Sequence, residues 1–138
     1  MQISTWLGVM VALGLSIGVK AQDEGCEHIP SPKTLKMLEK AKDKDRSSSE
    51  KREAVMKSIE MDPECLPCLH ALGEMEFLRA KNSDMDFNNA KETLKNLVAK
   101  CEVYDPEPFY YLGAMAYADR EFDDALLCFE KFLRFPSD

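Results

Sequence analysis

The sequence predicts an all-α fold, an α-α superhelix built from about three helical hairpins. Three observations lead there. Apolar residues recur three and four positions apart from about residue 31 onward, the spacing that lays one stripe along a helix. Strand-like alternation is absent. Finally, "PFYYLGAMAYADREFDDALLCFEKFLRFP" (Pro108 to Pro136) aligns with "PCLHALGEMEFLRAKNSDMDFNNAKETLKNLVAKCEVYDP" (Pro67 to Pro106), the mark of an internal repeat.

The chain opens with "WLGVMVALGLSIGV" (Trp6 to Val19), uncharged and apolar, followed by "VKAQ" with small Val19 and Ala21 where a signal peptidase reads. Export and cleavage after Ala21 are expected. The run is too short for a membrane span of about 20 apolar residues, and "QDEGCEH" after it is no stop-transfer pattern, so no membrane insertion is expected once the segment is removed. Asp23, Glu24 and Gly25 are too polar to make Cys26 a lipid-modified terminus. Cleavage would leave 117 residues, 138 less 21, enough for one modest core. Residues 22–30 form a lead segment and 31–138 the helical domain.

The first hairpin is placed at about 31–63. Ser31-Pro32 caps and opens "SPKTLKMLEKAKDKD", and "SSSE" (Ser47 to Glu50) offers a capping box for "SEKREAVMKSIEMDP". Leu35, Leu38, Val55 and Ile59 are its expected core. The second unit, about 64–105, and the third, about 106–137, share landmarks. Leu69, Leu72, Gly73 and Phe77 of the former correspond to Phe109, Leu112, Gly113 and Tyr117 of the latter. Phe87, Ala90, Leu94 and Leu97 correspond to Phe122, Ala125, Phe129 and Phe132. Small residues at Gly73, Gly113, Ala90 and Ala125 let paired helices approach. Asp62-Pro63 and Asp105-Pro106 end helices and begin turns.

These landmarks resemble the tetratricopeptide repeat, with its Leu-Gly, aromatic, Ala, aromatic and closing Pro at a period of about 34 residues. The resemblance is strongest over Glu107 to Pro136. It departs in the first unit, where Glu39 stands in place of the Gly. In the second, "RAKNSDMDFNN" is expected to lengthen the turn between helices by about five residues, and "AKCEVYDP" to lengthen the second helix or its exit.

Charge narrows the partners. The net charge is −7, and the removed segment would carry only Lys20, leaving −8. Such a domain repels phosphate backbones and anionic lipid surfaces, so nucleic acid is not an expected partner.

Five cysteines raise the question of chemistry. Cys65 and Cys68 form a C-x-x-C pair at a predicted helix N-terminus, where a thiolate is stabilised, and a thiol-disulfide oxidoreductase is one reading. The pair precedes a repeat's first helix, however, and not the βαβ setting of such enzymes. Structural bridges fit better, because the ends of antiparallel hairpins bring Cys26, Cys65, Cys68 and Cys101 to one end of the domain in an oxidising compartment. Among the three possible pairings, Cys68 with Cys101 leads, then Cys26 with Cys65. Cys128 lies mid-helix and reads as a small buried hydrophobe.

No cofactor and no metal are expected. Cys65, Cys68, His70 and Cys101 could supply zinc ligands, but His70 sits in a helix beside Leu69 and Leu72 and reads as lining a groove. "DKDRSSSEKREA" fails as a calcium loop, with Ser48 in place of the Gly and Ala54 in place of the Glu; "DMDFNNAKETLK" ends on Lys95. Phosphate loops, nucleophile elbows and H-E-x-x-H helices are missing. No catalytic residue is assigned.

A solenoid of this kind presents the first helices of its units on a concave face. The recognition residues expected there are His70, Glu74 and Phe77 on the second unit and Glu107, Tyr110, Ala114 and Tyr117 on the third. Other proteins or peptides are the expected partners. The terminal "LLCFEKFLRFPSD" lacks a polar outer face, so a neighbouring domain beyond Asp138 or a partner is expected to cover Phe132, Leu133 and Phe135.

The signal-like segment, Cys26, "P-K-x-x-K-x-x-E-K-A" (Pro32 to Ala41), the repeats and "FEKFLRFP" together resemble the opening region of envelope proteins that carry tetratricopeptide repeats, a β-propeller and an OmpA-like peptidoglycan-binding domain. Some of that family anchor the type IX secretion machinery in the periplasm. The resemblance implies a non-enzymatic docking scaffold in the periplasm or at the outer membrane; a stand-alone peptide-binding adaptor or chaperone is the other reading.

Overall fold

The computed structural model describes residues 26–136, and the predicted export segment lies outside them. Six α-helices fill this region: α1 Pro32–Glu39, continued by a 3-10 turn Lys40–Lys42; α2 Ser48–Met61; α3 Leu66–Ser83; α4 Asn88–Lys100; α5 Glu107–Ala118; and α6 Phe122–Arg134. No strand occurs among the described residues, and the fold is all-α. Helices pack in sequence order, α1 on α2, α3 on α4 and α5 on α6. The second helix of each pair also packs on the first of the next, as in an α-α superhelix.

The helix ends follow the sequence signals. Ser31 Oγ accepts from the Thr34 N–H at 3.1 Å, and Pro32 opens α1. Ser47 and Glu50 form a reciprocal capping box: Glu50 N–H donates to Ser47 Oγ at 3.2 Å, and Ser47 N–H to Glu50 Oε2 at 2.8 Å. Asp62 caps the C-terminus of α2, and its Oδ1 accepts from the Glu64 N–H at 3.1 Å. One orphan donor is thus satisfied by a side chain at the entry to α1, and two at the entry to α2.

α3 and α5 close alike. A residue in the left-handed region, Asp84 with φ 51° and Arg120 with φ 62°, is followed by an N–H that reaches back five residues. Met85 N–H donates to the Ala80 carbonyl at 3.0 Å, and Glu121 N–H to the Ala116 carbonyl at 2.9 Å. The left-handed residue falls eleven positions after Gly73 but seven after Gly113. Four of the five extra residues of the second copy therefore extend α3 by about one turn, and one lengthens the loop, contrary to the expectation of a long turn. The cause is "EFLRAK", good helix formers with no breaker before Asp84. α4 and α6 are both 13 residues long, so "AKCEVYDP" lengthens the exit and not the helix.

Two apolar clusters hold the stack. One joins α3, α4 and α5 through Leu69, Phe77, Leu94, Leu97, Leu112 and Met115; the other joins α1, α2 and α3 through Leu38, Val55, Cys65, Cys68 and Leu72. Leu35, expected in the core, is 38% exposed, and Thr34 takes the inward position. Its hydroxyl is satisfied by Ser31 Oγ at 2.9 Å, so burial is tolerated. Phe122 is likewise exposed despite matching Phe87, because α6 has no helix of the described residues packed on its far side. Leu126, Leu127 and Leu133 are exposed on α6, whereas Phe132 and Phe135 are half-buried against Tyr110 and Phe109.

Polar ties bind the helices into one body. Glu76 on α3, nearly buried, receives Arg52 Nη2 of α2 at 3.3 Å and the Thr93 hydroxyl of α4 at 2.9 Å. Lys91 of α4 reaches Asp119 at 2.6 Å and Glu121 at 3.2 Å in the α5–α6 turn.

Candidate groove and the acidic cluster beside it

All four cysteines expected to converge do so, but the pairing differs from the one expected. Cys26 bonds Cys101, and Cys65 bonds Cys68. Local geometry decides this. Cys65 is the N-cap of α3, where its Sγ accepts from the Cys68 N–H at 3.2 Å, so the two sulfurs already face each other. Cys101, C-cap of α4, then meets the lead segment, which His28 pins to Asp62 at 2.8 Å. With these bonds in place, the four-ligand zinc reading of Cys65, Cys68, His70 and Cys101 has no thiolates to use. Cys65 and Cys68 are both fully buried. Cys128 is half-buried on α6, and burial raises its thiol above the usual value, with Lys131 opposing. A thiol in that state is a poor nucleophile at neutral pH.

A cavity of about 480 Å³ opens between the first two helical pairs. Leu38, Val55, Ala71 and Met75 form its apolar floor, Lys42 and Lys51 stand on one rim, and His70, Glu74 and Tyr104 on the other. His70 and Glu74 lie one turn apart on α3, which aims both at the same side. The helix therefore places two of the seven expected recognition residues at this cavity.

The other five separate. Glu107, at the start of α5, does not line the cavity, but its Oε2 lies 3.0 Å from Nε2 of His70, which does. Phe77 does not reach the surface: it is buried with its ring 5.7 Å from Phe87 and 4.8 Å from Tyr111, which corrects the groove assignment. An aromatic at a helix–helix seam is held by the area it removes from water. Ala114 packs against the core cluster. Tyr110 is exposed but lies over Phe129 and Phe132, and Tyr117 lies edge-on to Phe122, so both belong to the α5–α6 surface.

Tyr111, which periodicity assigned no role, holds Glu107 in place. Its hydroxyl donates to Glu107 Oε1 at 2.9 Å. Burial, then that hydrogen bond and the charges of Glu74 and Glu107, raise its phenol well above the usual value, so it stays a donor. Tyr104 is raised by burial and by the Asp105 charge, and its ring meets His70 edge-on at 5.9 Å. Asp105 Oδ1 accepts from the Glu107 N–H at 2.8 Å, fixing the entry to α5.

No family model, curated protein or solved structure matches the chain. Among the described residues, no helix is long and apolar enough to cross a membrane.

Proposed function

We propose that the chain is a non-enzymatic protein-interaction scaffold, a tetratricopeptide-like stack whose groove between the first two helical pairs holds a peptide segment of another protein. The observation that carries this reading is the cavity of about 480 Å³ with an apolar floor and charged rims. It fits one apolar anchor side chain, and the Glu74 carboxylate on one rim and the Lys42 and Lys51 ammonium groups on the other favour charged residues of opposite sign beside that anchor. Export into an oxidising envelope compartment, periplasmic or at the outer membrane, accords with the signal-like segment and with two disulfides. A docking role in a secretion or wall-anchored assembly rests on the resemblance of the sequence to such envelope proteins.

Selection from a random peptide library, followed by calorimetry, tests the groove. Bound peptides should flank an apolar residue with charged ones, and Leu78→Asp at the cavity wall should abolish binding while Leu133→Asp on α6 leaves it intact. Binding indifferent to Leu78→Asp would overturn the reading. The competing thiol-disulfide activity is disfavoured by the burial of both Cys65 and Cys68. Disulfide-reductase turnover that vanishes in Cys65→Ser would reinstate it.

A further inference from the structure

We propose that His70, Asp105 and Glu107 form a binding site for one borderline divalent cation, zinc or an ion of like chemistry, which clips α3 to the entry of α5. One ligand atom from each residue lies within 4.8 Å of the others. Ligands set about 2.0 to 2.2 Å from a metal and adjacent in a tetrahedral coordination sphere lie roughly 3.3 to 3.6 Å apart. The 3.0 Å between His70 Nε2 and Glu107 Oε2 needs only a few tenths of an ångström of opening to reach that separation. The two atoms stand at ion-pair distance, yet their alignment makes no hydrogen bond, and the buried nitrogen has no other hydrogen-bond partner. In the tautomer that leaves Nε2 unprotonated, a lone pair faces the carboxylate, and a cation between the two would satisfy both.

The neighbours already hold the ligands as a metal site requires. The Tyr111 hydroxyl occupies Glu107 Oε1 and leaves Oε2 turned toward His70, while the Glu107 N–H fixes Asp105 through Oδ1. Such outer contacts orient ligands and set affinity. The His70 side chain is 15% exposed and Glu107 48%, so a small swing of the glutamate admits the ion from solvent. One imidazole with two carboxylates balances a double positive charge. The nitrogen ligand selects zinc-like ions over calcium and magnesium, which take oxygen. Three protein ligands leave a coordination position for water or a partner's side chain. The site stands independently of the peptide reading, since the metal alone can be titrated.

The purified chain with disulfides intact, stripped by chelator, should bind one equivalent of zinc chloride in calorimetry and ignore magnesium. His70→Ala and Glu107→Gln should each weaken binding by about 100-fold or more. His28→Ala, which removes the only other histidine, should leave it unchanged. Nitrogen-15 spectra of the unsubstituted chain provide the check should a variant unfold: the His70 ring resonances should move with zinc and the His28 resonances should not. Absence of saturable heat up to millimolar zinc, or binding that persists without His70, would overturn the site.

Discussion

Gly73 lies directly against Leu94 of the neighbouring helix, and its counterpart Gly113 lies against Phe129, so a Cβ there would stand 2.7 Å from the ring. The same pair of positions, one small and one large, thus closes both helical pairs. In an exposed helix, Gly to Ala stabilises by about 1 kcal/mol. Here the methyl has no room. Gly113→Ala and Gly73→Ala should each destabilise by roughly 1 to 3 kcal/mol in urea unfolding followed by circular dichroism. A stabilised variant would mean the helices are not in this register.

The two disulfides should differ in weight. Cys26–Cys101 spans 75 residues of sequence and Cys65–Cys68 only 3. Constraint of the unfolded chain then predicts about 4 kcal/mol for the first and about 2 for the second. Cys26→Ser with Cys101→Ser should therefore lower the urea midpoint more than Cys65→Ser with Cys68→Ser. Peptide mapping of the unreduced chain should recover these two bridges and a free Cys128.

Glu76 joins three helices, and its loss leaves Arg52 and the Thr93 hydroxyl without their carboxylate. Glu76→Ala should cost about 1 to 3 kcal/mol. Thr93→Val should then add less in that background than alone, a coupling that a double-mutant cycle reads directly.

The capping box predicts a pH dependence. The Ser47 backbone and hydroxyl hydrogen bonds lower the Glu50 pKa, with burial opposing. A carboxyl whose folded pKa lies below its unfolded value stabilises the fold above the unfolded pKa, and that contribution fades as pH falls through the folded one. Glu50→Ala should accordingly lower the melting temperature at neutral pH. The deficit should narrow in acid below the ordinary glutamate range, and a constant deficit would contradict the sign.

Helices, their caps and their pairing were legible in the chain itself, because Ser31, Ser47, Asp62 and the apolar spacing act within a few residues of themselves. The matched Gly73 and Gly113 even indicated which faces touch. What the sequence left open depends on rotation and distance between elements. A shift of inward face from Leu35 to Thr34 and the N-cap position of Cys65 each redirect a side chain by a fraction of a helical turn. Those small angles buried Phe77, paired Cys65 with Cys68, and brought His70, Asp105 and Glu107 together from two units. Local hydrogen bonding thus determined the elements, whereas side-chain packing between them decided which residues reach the groove.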